Sequence, residues 1–107
     1  METSISRQTE PDRYVISADG AVAGFAQFFD VDGRRIFFHT VIGPEFSGAG
    51  LATTVIEHGL TAARDEGLRI VALCPLVQQY VERHADEWGP SLDRVTPAML
   101  QVLPPKL

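Results

Sequence analysis

The sequence predicts an α/β fold with one mixed sheet, in which an antiparallel meander of three strands leads into a strand–helix–strand unit. The first part of the chain carries β-branched and aromatic runs separated by the turn signals Ala18-Asp-Gly20 and Asp32-Gly33. After Gly50 the apolar spacing changes from two residues to about 3.6. A nearly continuous apolar run, Leu68 to Leu73, then follows and is typical of a buried parallel strand.

The N-terminal half supplies the meander. Its first eleven residues are polar and end in Pro11, which predicts a flexible tail over residues 1–11 and a single domain over residues 12–107. Strands are predicted over residues 13–17, 22–29 and 35–42. Asp32-Gly33 is the strongest hairpin signal, and it joins the second of these strands to the third.

The C-terminal half supplies the helices. Apolar residues from Leu51 to Ala63 recur at helical spacing, and Gly67 is well placed to end that helix. Two successive strands joined by a helix form a right-handed crossover. Pro75 suits the first turn of a second helix reaching about His84, and residues 96–101 predict a short capped helix.

Composition narrows the possible functions. A chain of 107 residues can bury one core, which leaves no room for a separate substrate domain. The net charge of −5 and the lack of a basic run argue against a nucleic-acid partner. No apolar stretch is long enough to span a membrane, and the N-terminus lacks a signal-peptide core, so we expect a cytoplasmic protein. The one cysteine, Cys74, and the scattered histidines predict no metal site.

The most informative segment is the glycine-rich turn of residues 41–52. Glycines at positions 43, 48 and 50 permit close backbone approach, and the first amides of the following helix have no partners within that helix. Such a helix N-terminus suits a phosphate or pyrophosphate. The turn lacks the lysine of a P-loop and the third glycine of a dinucleotide-binding fingerprint.

Residues 45–50, Glu-Phe-Ser-Gly-Ala-Gly, resemble the (Gln/Arg)-x-x-Gly-x-(Gly/Ala) pattern of GNAT-type N-acetyltransferases. The segments 38–41, 62–68, 74–77 and 80–84 are also similar to the short, stand-alone branch of that family, so the resemblance covers about residues 12–88. It implies a GNAT-like fold with a splayed groove between the strand ending near Ile42 and the strand ending near Cys74. Glu45 departs from the family pattern, and we expect it to point outward.

The same resemblance implies acetyl-coenzyme A as the co-substrate in that groove. Backbone groups of residues 41–43 would pair with pantetheine, those of residues 46–51 would hold the pyrophosphate, and residues near Cys74 would line the thioester end. The implied cofactor-binding residues are Val41, Ile42, Gly43, Phe46, Ser47, Gly48, Ala49, Gly50, Leu51, Ala52, Cys74, Pro75 and Tyr80.

Three residues are candidates for catalysis, each with a structural alternative. Cys74 either accepts the acetyl group, lines the pantetheine channel or is a buried small side chain. Tyr80 either protonates the departing coenzyme A thiolate, a role that the resemblance implies, or is a core ring. His39 either takes a proton from the amine or is a packed strand residue. His39 and Thr40 alternate, so only one of them faces the acceptor.

The expected function is transfer of an acetyl group from acetyl-coenzyme A to an amine of a small molecule or protein. The resemblance implies that the helical segment that usually forms one substrate wall in a longer GNAT domain is missing between the first two strands, which predicts an open acceptor site. The alternative is a non-catalytic acyl-coenzyme A-binding or protein-interaction module, favoured by Glu45 and the short chain. The protein is expected to be a monomer, or a homodimer through an edge strand near Arg13 to Ser17.

Overall fold

A five-stranded mixed sheet in the order β1-β2-β3-β4-β5 organises the computed structural model, which describes residues 1–105. The strands are β1 (Thr3–Gln8), β2 (Arg13–Ala18), β3 (Ala21–Val31), β4 (Arg34–Ile42) and β5 (Arg69–Ala72). The first four pair antiparallel, and β5 runs parallel to β4. The predicted meander and strand–helix–strand unit are therefore confirmed.

The first helix lies between β4 and β5 in the chain, and the other helices follow β5. The helices are α1 (Leu51–Asp65), α2 (Pro75–Arg83), α3 (Ala85–Trp88) and α4 (Pro97–Gln101), with 3-10 turns at Pro44–Phe46 and Gly89–Ser91. Within residues 1–105, no helix is long and apolar enough to cross a membrane.

The N-terminal segment differs from the prediction of a flexible tail, because it contains β1. Its six residues pair with β2 from Thr3 opposite Ala18 to Gln8 opposite Arg13, and Ile5 packs against the core. The strand is polar on both faces apart from Ile5, so its sequence shows no alternation to identify it. As a result β1 is the edge of the sheet, and the predicted edge strand at residues 13–17 lies one position inside it.

Helices α1 and α2 cover one face of the sheet, which we call the helix face. The buried side chains of α1 are those that the helical spacing predicts, with Gly59 in addition. At Gly59 the helix lies so close to the sheet that an added Cβ would stand 2.9 Å from Cε1 of Phe37. Close packing on this face therefore depends on the absence of a side chain at that position.

The opposite face is covered by the C-terminal part of the chain, residues 96–105, and we call it the C-terminal face. Met99 packs there with Ile36 and Val71 in a small buried cluster, and Leu73 and Leu103 pack against that cluster. The sheet is thus covered on both faces near β4 and β5.

The β4 strand contains a bulge that separates it from β5. His39 lies opposite Gln27 and Phe37 lies opposite Phe28, so Phe38 is an extra residue in the ladder. β5 follows β4 only as far as Phe37, whose carbonyl accepts from the amides of Leu73 and Cys74 at 3.0 and 2.9 Å. Beyond that point β4 continues to Ile42 beside β3 alone, which confirms the predicted splay of the two strands.

Candidate functional site

A groove of about 560 Å³ opens where β4 and β5 separate. Its walls come from the last part of β4, the 3-10 turn after it, the first turn of α1 and the start of α2. The lining residues are Thr40, Val41, Ile42, Phe46, Ser47, Gly48, Gly50, Leu51, Ala52, Thr53 and Leu76.

The β4 wall presents backbone groups. The amide of Gly43 donates to the carbonyl of Ala23 at 2.8 Å, so Gly43 directs its backbone to β3. Because backbone direction alternates along an antiparallel strand, Thr40 and Ile42 turn their N–H and C=O groups to the side that β5 has left. An extended ligand can therefore pair with β4 as an additional strand would.

The second wall is the N-terminus of α1. Gly48 and Gly50 have φ values of +84° and +73°, in the left-handed region that glycine adopts without strain. No side chain of the described residues caps α1, whereas Thr96 Oγ1 accepts from Met99 N at the start of α4. The first amides of a fifteen-residue helix thus face the groove with the positive end of its dipole.

Glu45 lies outside the groove wall. Its side chain is exposed, and Oε1 bends back to within 3.3 Å of the position that a Cβ at Gly43 would occupy. The carboxylate is therefore directed at Gly43 rather than into the groove, in keeping with the expectation that it avoids a bound phosphate.

Cys74 joins the two separated strands at the inner end of the groove. Its side chain is 4% exposed, it occupies the N-cap position of α2 without a side-chain capping bond, and its Sγ donates to Thr40 Oγ1 at 3.5 Å. Thr40 lines the groove on β4, and Cys74 follows the end of β5. The thiol consequently lies on the helix face, at the point where the strands part.

His39 lies on the other face of the sheet. It pairs with Gln27, and its ring meets that of Phe25 edge-on with centroids 5.6 Å apart. Gln27 is 1% exposed and donates from Nε2 to the carbonyl of Pro105 at 3.3 Å, which identifies this side as the C-terminal face. Cys74 and His39 therefore flank the strand opening from opposite faces.

Tyr80 lies on α2 away from the groove wall. Burial raises the pKa of Tyr80, and the indole of Trp88 offsets part of that effect. Trp88 Nε1 forms no hydrogen bond with the described residues. The indole therefore lowers the pKa of Tyr80 only through its closeness to the hydroxyl. The Tyr80 ring packs against His84 at 4.5 Å between centroids. Its role as a general acid stays a prediction.

The groove contains eight of the residues predicted to bind the cofactor and adds three. Thr40, Thr53 and Leu76 line it without having been predicted, whereas Gly43, Ala49, Cys74, Pro75 and Tyr80 lie outside its lining. The sequence could have identified Thr40 as a groove residue, because it alternates with His39 along the strand. Leu76, which is 41% exposed directly after Pro75, was accessible as an apolar residue in the first turn of a helix.

Comparison with known proteins points to one family. A family model described as GCN5-related N-acetyltransferase matches residues 13–90. Two solved structures share the fold at low sequence identity. The Escherichia coli ribosomal-protein-S18-alanine N-acetyltransferase is 15% identical with a TM-score of 0.59, over 64% of each chain. A GNAT-family structure from Desulfovibrio desulfuricans is 13% identical with a TM-score of 0.62, over 78% of this chain and 83% of its own.

The share of each chain that is aligned limits what these matches show about this protein. The alignment spans just under two thirds of the Escherichia coli enzyme, so the likeness to it concerns the shared fold. No curated protein matches the sequence significantly. The segment matched by the family model begins at β2 and ends after α3, and it includes both walls of the groove.

Proposed function

Because this chain belongs to the GCN5-related N-acetyltransferase family, we propose that it transfers an acetyl group from acetyl-coenzyme A to an amine. One observation carries the proposal: the separated end of β4 and the uncapped N-terminus of α1 form two walls of the same groove. The first suits the amides of pantetheine, and the second suits a pyrophosphate. Both groups occur in coenzyme A.

The proposed binding mode uses the chain in order. Thr40 and Ile42 would pair with pantetheine through their backbones, and the turn from Phe46 to Leu51 would hold the pyrophosphate. The apolar side chain of Leu76 would pack on the pantetheine arm. This arrangement directs the thioester to the inner end of the groove, where Thr40 and Cys74 meet.

The transfer itself requires two proton movements. The amine nitrogen, once deprotonated, attacks the thioester carbonyl carbon, a new C–N bond forms, and the C–S bond breaks as the coenzyme A thiolate leaves and takes a proton. His39 is the proposed base, since a neutral imidazole has a ring nitrogen that can accept a proton from the amine. In a second route the Cys74 thiol gives up its proton and attacks the thioester carbonyl, so that a C–S bond to Cys74 forms while the C–S bond to coenzyme A breaks and the departing thiolate takes a proton. The amine then attacks acetyl-Cys74, a C–N bond forms, and the Cys74 thiolate leaves and is protonated again.

A titration tests the cofactor. Isothermal titration with acetyl-coenzyme A, coenzyme A and dephospho-coenzyme A should give micromolar dissociation constants. Absence of binding at roughly millimolar ligand would contradict the proposal, because it means a binding free energy weaker than about −4 kcal/mol. Binding without turnover of any amine would instead support the acyl-coenzyme A-binding module, which the position of Tyr80 outside the groove wall also favours.

A matched pair of glycine variants tests the location. Gly50 and Gly67 have φ values of +73° and +78°, and an added Cβ would meet no atom within 4 Å at either position. Gly50→Ala and Gly67→Ala should therefore each lower the free energy of unfolding by about 1 kcal/mol. Only Gly50→Ala should weaken coenzyme A binding, by roughly tenfold, because only Gly50 lines the groove. Equal affinities in the two variants would place the cofactor elsewhere.

A covalent route has its own readout. Since Cys74 is the one cysteine of the chain, an acetyl group that intact-mass measurement detects in the wild type but not in Cys74→Ala is assigned to that thiol. An added acetyl group that disappears when amine is supplied would support the acetyl-Cys74 route. A Cys74→Ala variant that retains full turnover would exclude it and leave direct attack.

A further inference from the structure

Arg13 carries a positive charge on the face of the sheet where His39 lies. Arg13 is the ladder partner of Gln27 in β3, and Gln27 is in turn the ladder partner of His39 in β4. Because direct partners in a ladder share a face, the three side chains form one row across the C-terminal face. Since His39 is the proposed base, the amine has to approach on this face, and Arg13 borders its route.

The Arg13 guanidinium is held in place without an anionic partner. It lies over the ring of Phe25, and its Nη2 donates to Oε1 of Gln8 at 3.1 Å, which is a neutral acceptor. Its Nε is buried and has no acceptor among the described residues, which is unfavourable for a donor. Within residues 1–105 the other arginines that lie over an aromatic ring each contact a carboxylate as well, and these are Arg7, Arg35 and Arg64. The positive charge of Arg13 is therefore left for an anionic group of a ligand.

Phe25 bridges the space between Arg13 and His39. Gln27 lies directly between them but is 1% exposed, and its amide donates to the carbonyl of Pro105. The accessible path therefore runs over the half-buried ring of Phe25. The 4.7 Å from the guanidinium carbon to that ring centre and the 5.6 Å from there to the imidazole centre limit the separation of the two groups to about 10 Å. Hydrogen bonds of about 3 Å at each end leave room for a carboxylate and an amine that are separated by roughly one to three carbon atoms.

We propose that Arg13 binds a carboxylate of the acceptor, so that the proposed acetyltransferase prefers short aminocarboxylates. This inference rests on the proposed acetyl transfer. A guanidinium offers parallel donors that match a carboxylate, and such charge-assisted hydrogen bonds are stronger than neutral ones. With the carboxylate on Arg13, the amine is held over Phe25 within reach of His39. The net charge of −5 disfavours an anionic ligand elsewhere on the surface, so its recognition depends on this local cation.

Variants at Arg13 and Arg7 provide a matched test. Arg7 also lies over a ring, that of Phe28, but Phe28 belongs to the core on the helix face. KM is measured for β-alanine and for β-alaninamide, which differ in the carboxylate charge. The ratio of the two KM values is compared between proteins, so that the different basicity of the two amines cancels. Arg13→Met should reduce the preference for β-alanine by roughly tenfold, Arg13→Lys should keep part of it, and Arg7→Met should leave it as in the wild type. The acetyl-coenzyme A affinity should be unchanged in all three.

Binding of a carboxylate alone gives a readout that needs no catalysis. In ¹H–¹⁵N NMR spectra the Nε–H signal of Arg13 is identified by its absence from Arg13→Lys. It should shift when propionate, which has the carboxylate without the amine, is added to the wild type, whereas the signal of Arg7 should stay in place.

Four outcomes would overturn the proposal. They are an unchanged KM ratio in Arg13→Met, an equal change in Arg7→Met, an Arg13 signal that propionate moves no more than that of Arg7, and turnover of uncharged amines without turnover of β-alanine. Failure of the proposed function looks different, because the wild-type protein would then acetylate no amine of any class while propionate still shifts the Arg13 signal.

Discussion

Arg35 offers the sharpest test of how this fold is held together. Its guanidinium is 1% exposed, yet it contacts groups from three other elements. It donates to both carboxylate oxygens of Asp30 at 2.8 Å, to Glu66 at 2.8 and 3.1 Å, and to the hydroxyl of Tyr14 at 2.8 Å. It also lies 4.5 Å from the ring centre of Phe28. Burial alone would lower the pKa of Arg35, but these acceptors outweigh it and raise the pKa above its ordinary value.

We expect Arg35→Met to cost about 2–4 kcal/mol of unfolding free energy, in an order-of-magnitude sum. Loss of a partner for the buried Tyr14 hydroxyl contributes about 1–3 kcal/mol, and the lost cation–π contact about 1 kcal/mol. Asp30 and Glu66 side chains are 36% and 42% exposed, so water rehydrates them and each adds little. Removal of the buried charge and the apolar packing of methionine offset part of the cost.

The assay is urea unfolding followed by fluorescence of Trp88, the one tryptophan and a fully buried one. Arg34→Met is the control, because the Arg34 side chain is 35% exposed and its ion pair with Asp93, at 2.8 Å, is a surface one. That variant should lose at most about 1 kcal/mol. A loss below about 1 kcal/mol in Arg35→Met, or equal losses in the two variants, would refute the reasoning from burial.

Three further predictions follow from individual groups. The pKa of Glu66 is lowered because Arg35 donates hydrogen bonds to it. The stabilisation that ionised Glu66 provides is therefore fully present above its unfolded pKa of about 4.3 and is lost as the pH falls through its lower folded pKa. The urea midpoint should decrease as the pH is lowered through this range, and it should decrease less in Arg35→Met. Gly59→Ala should lower the Tm. Alanine stabilises a helix by about 1 kcal/mol relative to glycine, but the added Cβ would stand 2.9 Å from the Phe37 ring, and this crowding costs about 1–3 kcal/mol. A raised Tm would contradict this prediction. Tyr80→Phe should keep kcat within about threefold, since the hydroxyl lies outside the groove wall; a roughly hundredfold loss would support the role of general acid.

The parts of the fold that the sequence predicted are those encoded locally. Helical spacing identified the buried face of α1, and the glycine turn located its N-terminus, because both signals lie within a few turns of chain. β1 escaped prediction because a polar strand is held by its pairing with β2, and that pairing is a long-range property. Leu76 carries a local signal as an apolar residue in the first turn of α2, but its place in the groove depends on α2 lying beside the end of β4.

The position of His39 shows the same limit at the candidate site. Alternation along β4 indicates that His39 and Thr40 face opposite ways, but it does not tell which of them shares a face with Cys74. The extra residue at Phe38 decides the matter, since a one-residue shift moves every later side chain to the other face. In a regular ladder His39 would oppose Ala26 on the helix face, and Thr40 would lie on the C-terminal face. With the bulge, Thr40 meets the thiol of Cys74 at 3.5 Å and His39 meets Phe25. The bulge therefore both ends the pairing with β5 and places the candidate base on the side of the opening that the helices leave uncovered.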